Sequence, residues 1–404
     1  MAQDHRGLRL PSLLAWLIPC FRKRRGYQLI PLAPNFLSAL PVELILAISG
    51  FMPPNDLICF ALCDHRLFSL LHKTTAPRLG RDLTLELLQR LERDLPNHFA
   101  CQCCITIHPY YRVTDLDNQP MYSSMCLLRC VVNSAWHEPR FRLSIHGFAA
   151  YTMYEFSFLH LQLAMKRFNG GLRYGITPEK LSYIEVQENY EPKCTTLFSI
   201  ETKVCTDPLG LYLRIQDIVL FKDQAEDFFR YPDRHNSRKP PHVFMVCTHF
   251  RFSQMKEQMN PLLSAYKQTL SPIRLERTCE KCNADFLLEL QEFDGYSAFS
   301  VTRWMNLGSG LTPEDPLWRI RSLQNTYDSL ISPFSMELDK MAWSPRRSYE
   351  SSSADWTQET LLSRNLSWLK GKRYKRCMHS DGTSTWLFRH PEFSWAQKYN
   401  RKIR

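Results

Sequence analysis

Apolar positions near the amino terminus repeat at helical spacing. Across residues 36–73, FLSALPVELILAISGFMPPNDLICFALCDHRLFSLLHK, Leu40, Leu44, Ile45, Ile48 and Phe51 recur every three or four residues or so. Pro41 suits the first turn of that helix, where its missing N–H costs nothing. The helix must stop by Pro53-Pro54. Asn55 is a good N-cap for the next helix, Asp56 favours its positive end, and Leu57, Phe60 and Ala61 form its apolar face. A third short helix follows through Leu67, Leu70 and Leu71. About 40 residues is near the lower limit for a self-sufficient core. Part of this Leu/Ile/Phe surface must therefore be covered by a partner or by the rest of the chain.

Asp82 to Asp94 continues the helical pattern through Leu83, Leu87, Leu88 and Leu91, with Asp82 as N-cap and an end at Leu95-Pro96. From Met121 the period changes. Phe141 to Ile145 and Leu211 to Ile215 alternate apolar and polar residues and predict half-buried strands. Between them, Tyr154 to Phe168 predicts a helix closed by Asn169-Gly170-Gly171. Further strands are predicted at Pro241 to Cys247 and Asp285 to Leu290. The expected class is α+β: an N-terminal three-helix segment at 36–75, then an irregular mixed α/β body over 80–325. Residues 1–35 read as a basic, flexible arm and 340–404 as a basic, loosely held tail, with Ser348 to Ser353 as linker. No repeat period is visible, which argues against leucine-rich and propeller architectures.

Composition changes this picture little. The 404 residues are 44% hydrophobic and 23% charged, as in an ordinary globular protein. Glycine, 14 in all, is at about half its usual share. No Walker loop, G-x-G-x-x-G, G-x-S-x-G or H-E-x-x-H occurs, so the common catalytic signatures are missing. Thirteen histidines, without a cluster around a carboxylate, suggest no acid/base machinery, and the expected role is not enzymatic. Asn306, Glu314 and Asp315 near Trp304 and Trp318 read as a surface loop pinned by the two aromatics.

The net charge of +11 sits at the ends: +5 over residues 1–25 and +8 over 341–404, leaving a body near neutrality. A nucleic-acid-binding core would carry its basic face on the fold itself, so none is expected. Lys370 to Arg376, KGKRYKR, reads as a solvated basic run. Leu8 to Phe21 is the one candidate targeting segment. Broken by Pro11 and Pro19, it falls short of the ~20 apolar residues that a span requires, so stable membrane insertion is not expected. The expected compartment is intracellular, cytoplasm or nucleus, with reduced thiols.

Fourteen cysteines include two C-x2-C pairs, Cys101 with Cys104 and Cys279 with Cys282. Two residues between thiolates let both sulfurs reach one ion from a tight turn, and two such turns complete the tetrahedral shell that zinc favours. The expectation is one structural zinc held by Cys101, Cys104, Cys279 and Cys282, closing a loop of about 175 residues. That separation far exceeds the roughly 12–20 of common zinc motifs. His108, Cys103, Cys247 and His249 remain alternative ligands, and buried free cysteines are the competing reading.

The run Leu40-Pro41-x-Glu43-Leu44-Ile45-x-x-Ile48, with Asp56-Leu57 and a third helix near Asp64, resembles the F-box, through which substrate receptors dock onto the Skp-type linker of cullin-based ubiquitin ligases. HFACQCCITIHP, YEFSFLHLQLAMKRFNGG with Tyr174-Gly175-Ile176, Cys247-Thr-His249, CEKCNADF and VTRWMNLGSGLTPEDPLW extend that likeness, in order, to a group of fungal F-box proteins over about 36–320. The resemblance implies a non-catalytic receptor in a ubiquitin ligase complex. Leu40, Pro41, Glu43, Leu44, Ile45, Ile48, Asp56, Leu57 and Phe60 would meet the linker and cullin complex, and the body would hold a protein target. The alternative is a zinc-stabilised nucleic-acid-binding or scaffold protein that uses its basic termini.

Overall fold

Proline punctuation and helical spacing place the first elements close to where the sequence predicts them. The computed structural model describes residues 39–71, 79–102, 104–109, 143, 156–190, 193–221, 245–247, 249–251, 264, 266, 268, 272–322, 343–351, 362, 365–366, 375–378 and 384–387. The chain divides into two units, Met1–Tyr110 and Tyr111–Arg404.

In the first unit, α1 (Val42–Ser49), α2 (Pro54–Leu62) and α3 (His65–Leu71) follow one another closely. Pro41 and Pro53 stand at the N-caps, and their carbonyls accept from the amides of Ile45 at 3.2 Å and Leu57 at 2.9 Å. Asn55 is not the cap. Because Pro53 and Pro54 have no N–H to satisfy, α2 starts earlier, and the buried Asn55 side chain donates to Glu86 at 3.1 Å. Ile45, Ala61, Leu67 and Leu71 form a small core with Leu40, Leu57, Phe60 and Leu70 at its edge.

That core is enlarged by elements expected in the body. Helix α4 (Arg81–Glu92) and the hairpin of β1 (His98–Cys101) and β2 (Thr106–Pro109) pack on the other side of α2. Ile58 there meets Leu87, Leu88, Leu91, Ala100, Ile105 and Ile107. Gly80, not Asp82, precedes the first turn of α4, and its carbonyl accepts from the Thr84 hydroxyl at 2.9 Å. The unit thus extends to Tyr110, past the boundary expected near 75.

The second unit is built on long antiparallel strands. After α5 (Phe158–Gly170) come β3 (Tyr183–Tyr190), β4 (Lys193–Thr206), β5 (Leu209–Phe221), a short hairpin of β6 (Met245–Cys247) and β7 (Phe250–Arg251), then β8 (Ile273–Cys279), β9 (Ala284–Phe293) and β10 (Tyr296–Asn306). The short helices α6 (Pro316–Arg319) and α7 (Pro345–Glu350) and strands β11 (Lys375–Met378) and β12 (Ser384–Leu387) follow. Six strands, β3-β4-β5-β10-β9-β8, form a continuous antiparallel sheet, and β12 and β11 extend it beyond β3 to eight. The mixed α+β architecture is as expected, and its sheet is regular.

Helix α5 starts at Ser157, whose amide donates to His160 Nδ1 at 2.9 Å in a capping box. It ends at Gly171, φ 82. Gly175, φ 52, lies so close to the Leu163 carbonyl that a Cβ there would sit 2.0 Å from the oxygen.

Three expectations need correction. Strand β5 is buried on both faces, not one, because its polar residues find partners: Arg214 pairs with Glu201, Asp217 with Arg303 at 2.6 Å, and Gln216 takes a hydrogen bond from Asn365 and gives one to Thr302. Trp304 and Trp318 are not pins of a surface loop but fully buried, Trp318 edge-on to Phe158 at 5.3 Å, while Asp315 caps α6 through Leu317 N at 2.9 Å. The tail expected to be loose from 340 onward contributes α7. Tyr349 is fully buried beneath Arg214 and Lys203, and Leu362 and Leu366 join the core with Ile184, Leu197 and Ile218. Of Phe141 to Ile145 only Leu143 is described, bridging to Ser322. The amino-terminal arm lies outside the described residues.

Candidate metal centre

The end of the sheet where β8 turns into β9 gathers four ligand-bearing side chains. Cys279 is the last residue of β8. The amide of Asn283 returns to the Cys279 carbonyl at 2.8 Å, and Asn283 takes φ 49 so that the chain can enter β9. Such a turn holds Cys279 and Cys282 toward one point. Cys247 closes β6, with His249 in the turn to β7, and a register shift in that hairpin accompanies the step. The Sγ atoms of Cys247, Cys279 and Cys282 and a ring nitrogen of His249 all lie within 4.8 Å of one another. Ligand atoms around tetrahedral zinc sit roughly 3.3–3.8 Å apart, given zinc–sulfur bonds of ~2.3 Å and zinc–nitrogen bonds of ~2.0 Å. The cluster is therefore the right size to hold a metal such as zinc.

Its surroundings suit a structural ion. All three cysteines are buried, His249 is half-buried, and Ala284, Ile320 and Leu317 pack against the sulfurs. The thiols share hydrogen bonds. Donation from Cys247, with Cys282 and His249, holds the Cys279 thiol far below its usual range, while the bond to Cys279 pushes Cys247 well up. The hydrogen bond with Cys247 pulls Cys282 down, but the bond to Cys279 and burial outweigh it, and Cys282 is pushed up to about 12. One thiolate thus sits beside two neutral thiols in a buried pocket, and a dication bound there would displace the remaining thiol protons. Arg321 faces the same group. Burial lowers its guanidinium against the pull of the three sulfurs, and it donates to the carbonyls of Cys282 and, at 2.8 Å, Leu317.

The residues beside the turn hold α7. Asn283 Nδ2 donates to the Trp343 carbonyl at 3.1 Å, and Asp285 accepts from Thr278 at 2.6 Å, Ser344 at 2.6 Å and the Arg346 amide at 2.9 Å. An ion at this turn would fix β6–β7, β8–β9, the segment after α6 and the entry to α7 together.

The expected ligand set is therefore redrawn. Cys279 and Cys282 are completed by Cys247 and His249, which the sequence offered only as alternatives, not by Cys101 and Cys104. The C-x-H step 30 residues before Cys279 was the available signal. Cys101 and Cys104 group instead with His108 in the first unit; Cys103 lies outside the described residues.

The other predicted site residues lie on the N-terminal helices. Ile45 points inward and is fully buried, and Leu40, Leu57 and Phe60 line the core edge. Leu44 is 50% exposed and Ile48 41%, and Phe51 beside them is 91% exposed. Pro41 and Glu43 are exposed. Asp56 pairs with Arg90 of α4, which also binds Glu86 at 2.7 Å. That pairing commits Asp56 to its own unit. No helix among the described residues is long and apolar enough to cross a membrane. Comparison with family models, curated proteins and solved structures finds no match to this chain.

Proposed function

We propose that this chain is the non-catalytic substrate receptor of a cullin-based ubiquitin ligase, working inside the cell. Its N-terminal helices dock on a Skp-type linker in the manner of an F-box, and its sheet-bearing unit presents a protein target. The observation that supports this reading is the division of α1 between two environments. Ile45 is wholly enclosed by its own unit, whereas Leu44 and Ile48, with Phe51 just beyond the helix, remain in contact with water. Scattered apolar residues on a surface need no explanation, but several on one short element mark a place where another molecule sits. A receptor of this kind raises the effective concentration of its target near the conjugating enzyme and needs no acid, base or nucleophile of its own. The metal centre at the sheet end then has a structural part, fixing the turns and the entry to α7.

Full burial of a Leu or Ile side chain is worth ~1.5–3 kcal/mol, and these two are roughly half-buried already, so each should contribute about half of that on docking. Losing both contacts is worth roughly 10- to 150-fold, and forcing two carboxylates into an apolar contact adds a desolvation cost, so Leu44→Asp combined with Ile48→Asp should weaken linker binding by at least ~100-fold. Because both side chains are exposed, the unfolding midpoint should hardly move. Co-purification of linker and cullin with the wild-type chain, lost in the double variant at unchanged thermal stability, is the expected result. Equal recovery with both proteins would refute the reading.

A further inference from the structure

We propose that Cys101, Cys104 and His108 supply three ligands of a second zinc site, belonging to the first unit and independent of the cluster at Cys279. The argument rests on a backbone that occurs twice. In the β1–β2 turn the amide of Ile105 returns to the Cys101 carbonyl at 3.0 Å, and Ile105 takes φ 51 before β2 begins at Thr106, which pairs with Cys101. In the β8–β9 turn the amide of Asn283 returns to the Cys279 carbonyl at 2.8 Å, and Asn283 takes φ 49 before β9 begins at Ala284, which pairs with Cys279. Cysteine stands at the first and fourth positions of both turns. Each turn, closed by the same hydrogen bond and followed by the same left-handed residue, presents two thiols to one point.

The left-handed residue sharpens the inference. Asparagine enters that region readily, but a β-branched isoleucine is held there against its steric preference. A loop free to relax would not keep Ile105 at this angle. Ile105 is buried with Ala100 and Ile107 in the core beneath the hairpin, so packing holds the turn in the form that aims both sulfurs. His108 completes the group: its Nε2 lies 2.9 Å from Cys104 Sγ, its ring leans on Phe99 at 5.7 Å, and the three ligand atoms fall within 4.8 Å of one another. Two thiolates and an imidazole are the donors zinc prefers. Two strands of four residues make a marginal hairpin, one that gains from an ion bridging its turn and its second strand.

A competing use of the same atoms is a Cys104–His108 nucleophile pair. The second thiol in the same turn and the repeat of the turn at a four-ligand cluster favour the metal, and the pair becomes an outcome of the test. The full-length chain, stripped of metal under reducing conditions, is titrated with cobalt(II) and followed by sulfur-to-cobalt absorption. The expected end point is about two ions per chain, one for each ligand set. Cys101→Ser with Cys104→Ser should lower it to about one and leave the cluster at Cys279 loaded; Cys279→Ser with Cys282→Ser should remove the other ion and keep this one. An unmodified chain that saturates at one ion and loses it only in the Cys279/Cys282 variant overturns the proposal, whether or not either variant folds well. So does rapid alkylation of Cys104 in the zinc-loaded protein without release of metal, or a mass showing Cys101 and Cys104 joined as a disulfide.

Discussion

The two units differ most in what their cores enclose, although both leave some large apolar side chains exposed, Leu172 and Leu311 in the second among them. The second buries even its charges: Arg214 with Glu201 and Arg303 with Asp217 lie inside the sheet with hardly any contact with water. The first leaves Leu44, Ile48 and Phe51 at the surface although its own core is small. Long strands explain the former. The 14 residues of β4 and 13 of β5 offer enough cross-strand neighbours to satisfy buried polar groups, and α7 lies across them. Helices of seven to nine residues offer no such surplus, and of α1 only Ile45 is buried. The sheet unit satisfies its polar groups with its own strands and α7, whereas the helical unit leaves most of α1 exposed.

The candidate metal centre gives the sharpest way to break that contrast. If the sheet unit depends on its ion, Cys282→Ser should cost on the order of 5 kcal/mol or more, since structural zinc contributes its binding energy directly to folding. Hydrogen exchange should show Trp343 to Glu350 losing protection first, because Asn283 and Asp285 hold that segment. Unchanged zinc content and unchanged protection in the variant would show that the cluster is only a set of buried thiols.

A smaller effect concerns the buried charges. Asp217→Ala leaves Arg303 enclosed without its carboxylate and should cost ~3–5 kcal/mol, measurable by chemical denaturation, whereas Asp217→Leu with Arg303→Met should come close to wild type. A single variant as stable as the wild type would mean that water reaches the pair.

A pH effect follows from His160, whose imidazole is lowered to about 4 by burial. The unfolded chain takes up this proton near pH 6.5 and the folded chain only near 4. Stability is thus full above pH 6.5, falls as the pH drops from 6.5 toward 4, and loses on the order of 3 kcal/mol over that window. His160→Gln keeps an acceptor at the capping-box position and should flatten that part of the profile. An identical slope in the variant would assign the acid sensitivity elsewhere.

Much of the helical unit was legible in the sequence because its prolines and its three-to-four-residue spacing act locally. The helix ending at Gly171 was legible for the same reason, although its start lies at the Ser157 cap and not at Tyr154. The interior of β5 was not: Arg214, Gln216 and Asp217 look like a wet face until the strands that carry Glu201, Thr302 and Arg303 are brought beside them. Helix α7 was not legible because Pro345-Arg-Arg-Ser-Tyr has the composition of a linker, and its anchors, Tyr349 enclosed between β4 and β5 side chains and the hydrogen bonds to Asp285, exist only once the sheet has formed. The cysteine pairs show the same limit from another side. Each C-x2-C turn is a local feature and could be read, but the choice of Cys247 and His249 as companions of Cys279 depends on how β6 is placed, which spacing along the chain does not encode.

The most direct test of the account is the affinity of the purified chain for a Skp-type linker, measured by calorimetry on the wild type and on Leu44→Asp/Ile48→Asp. Tight binding by the wild type, weakened at least ~100-fold in the variant while both unfold at the same temperature, is the predicted result. No binding by the wild type, or equal binding by both, would contradict it.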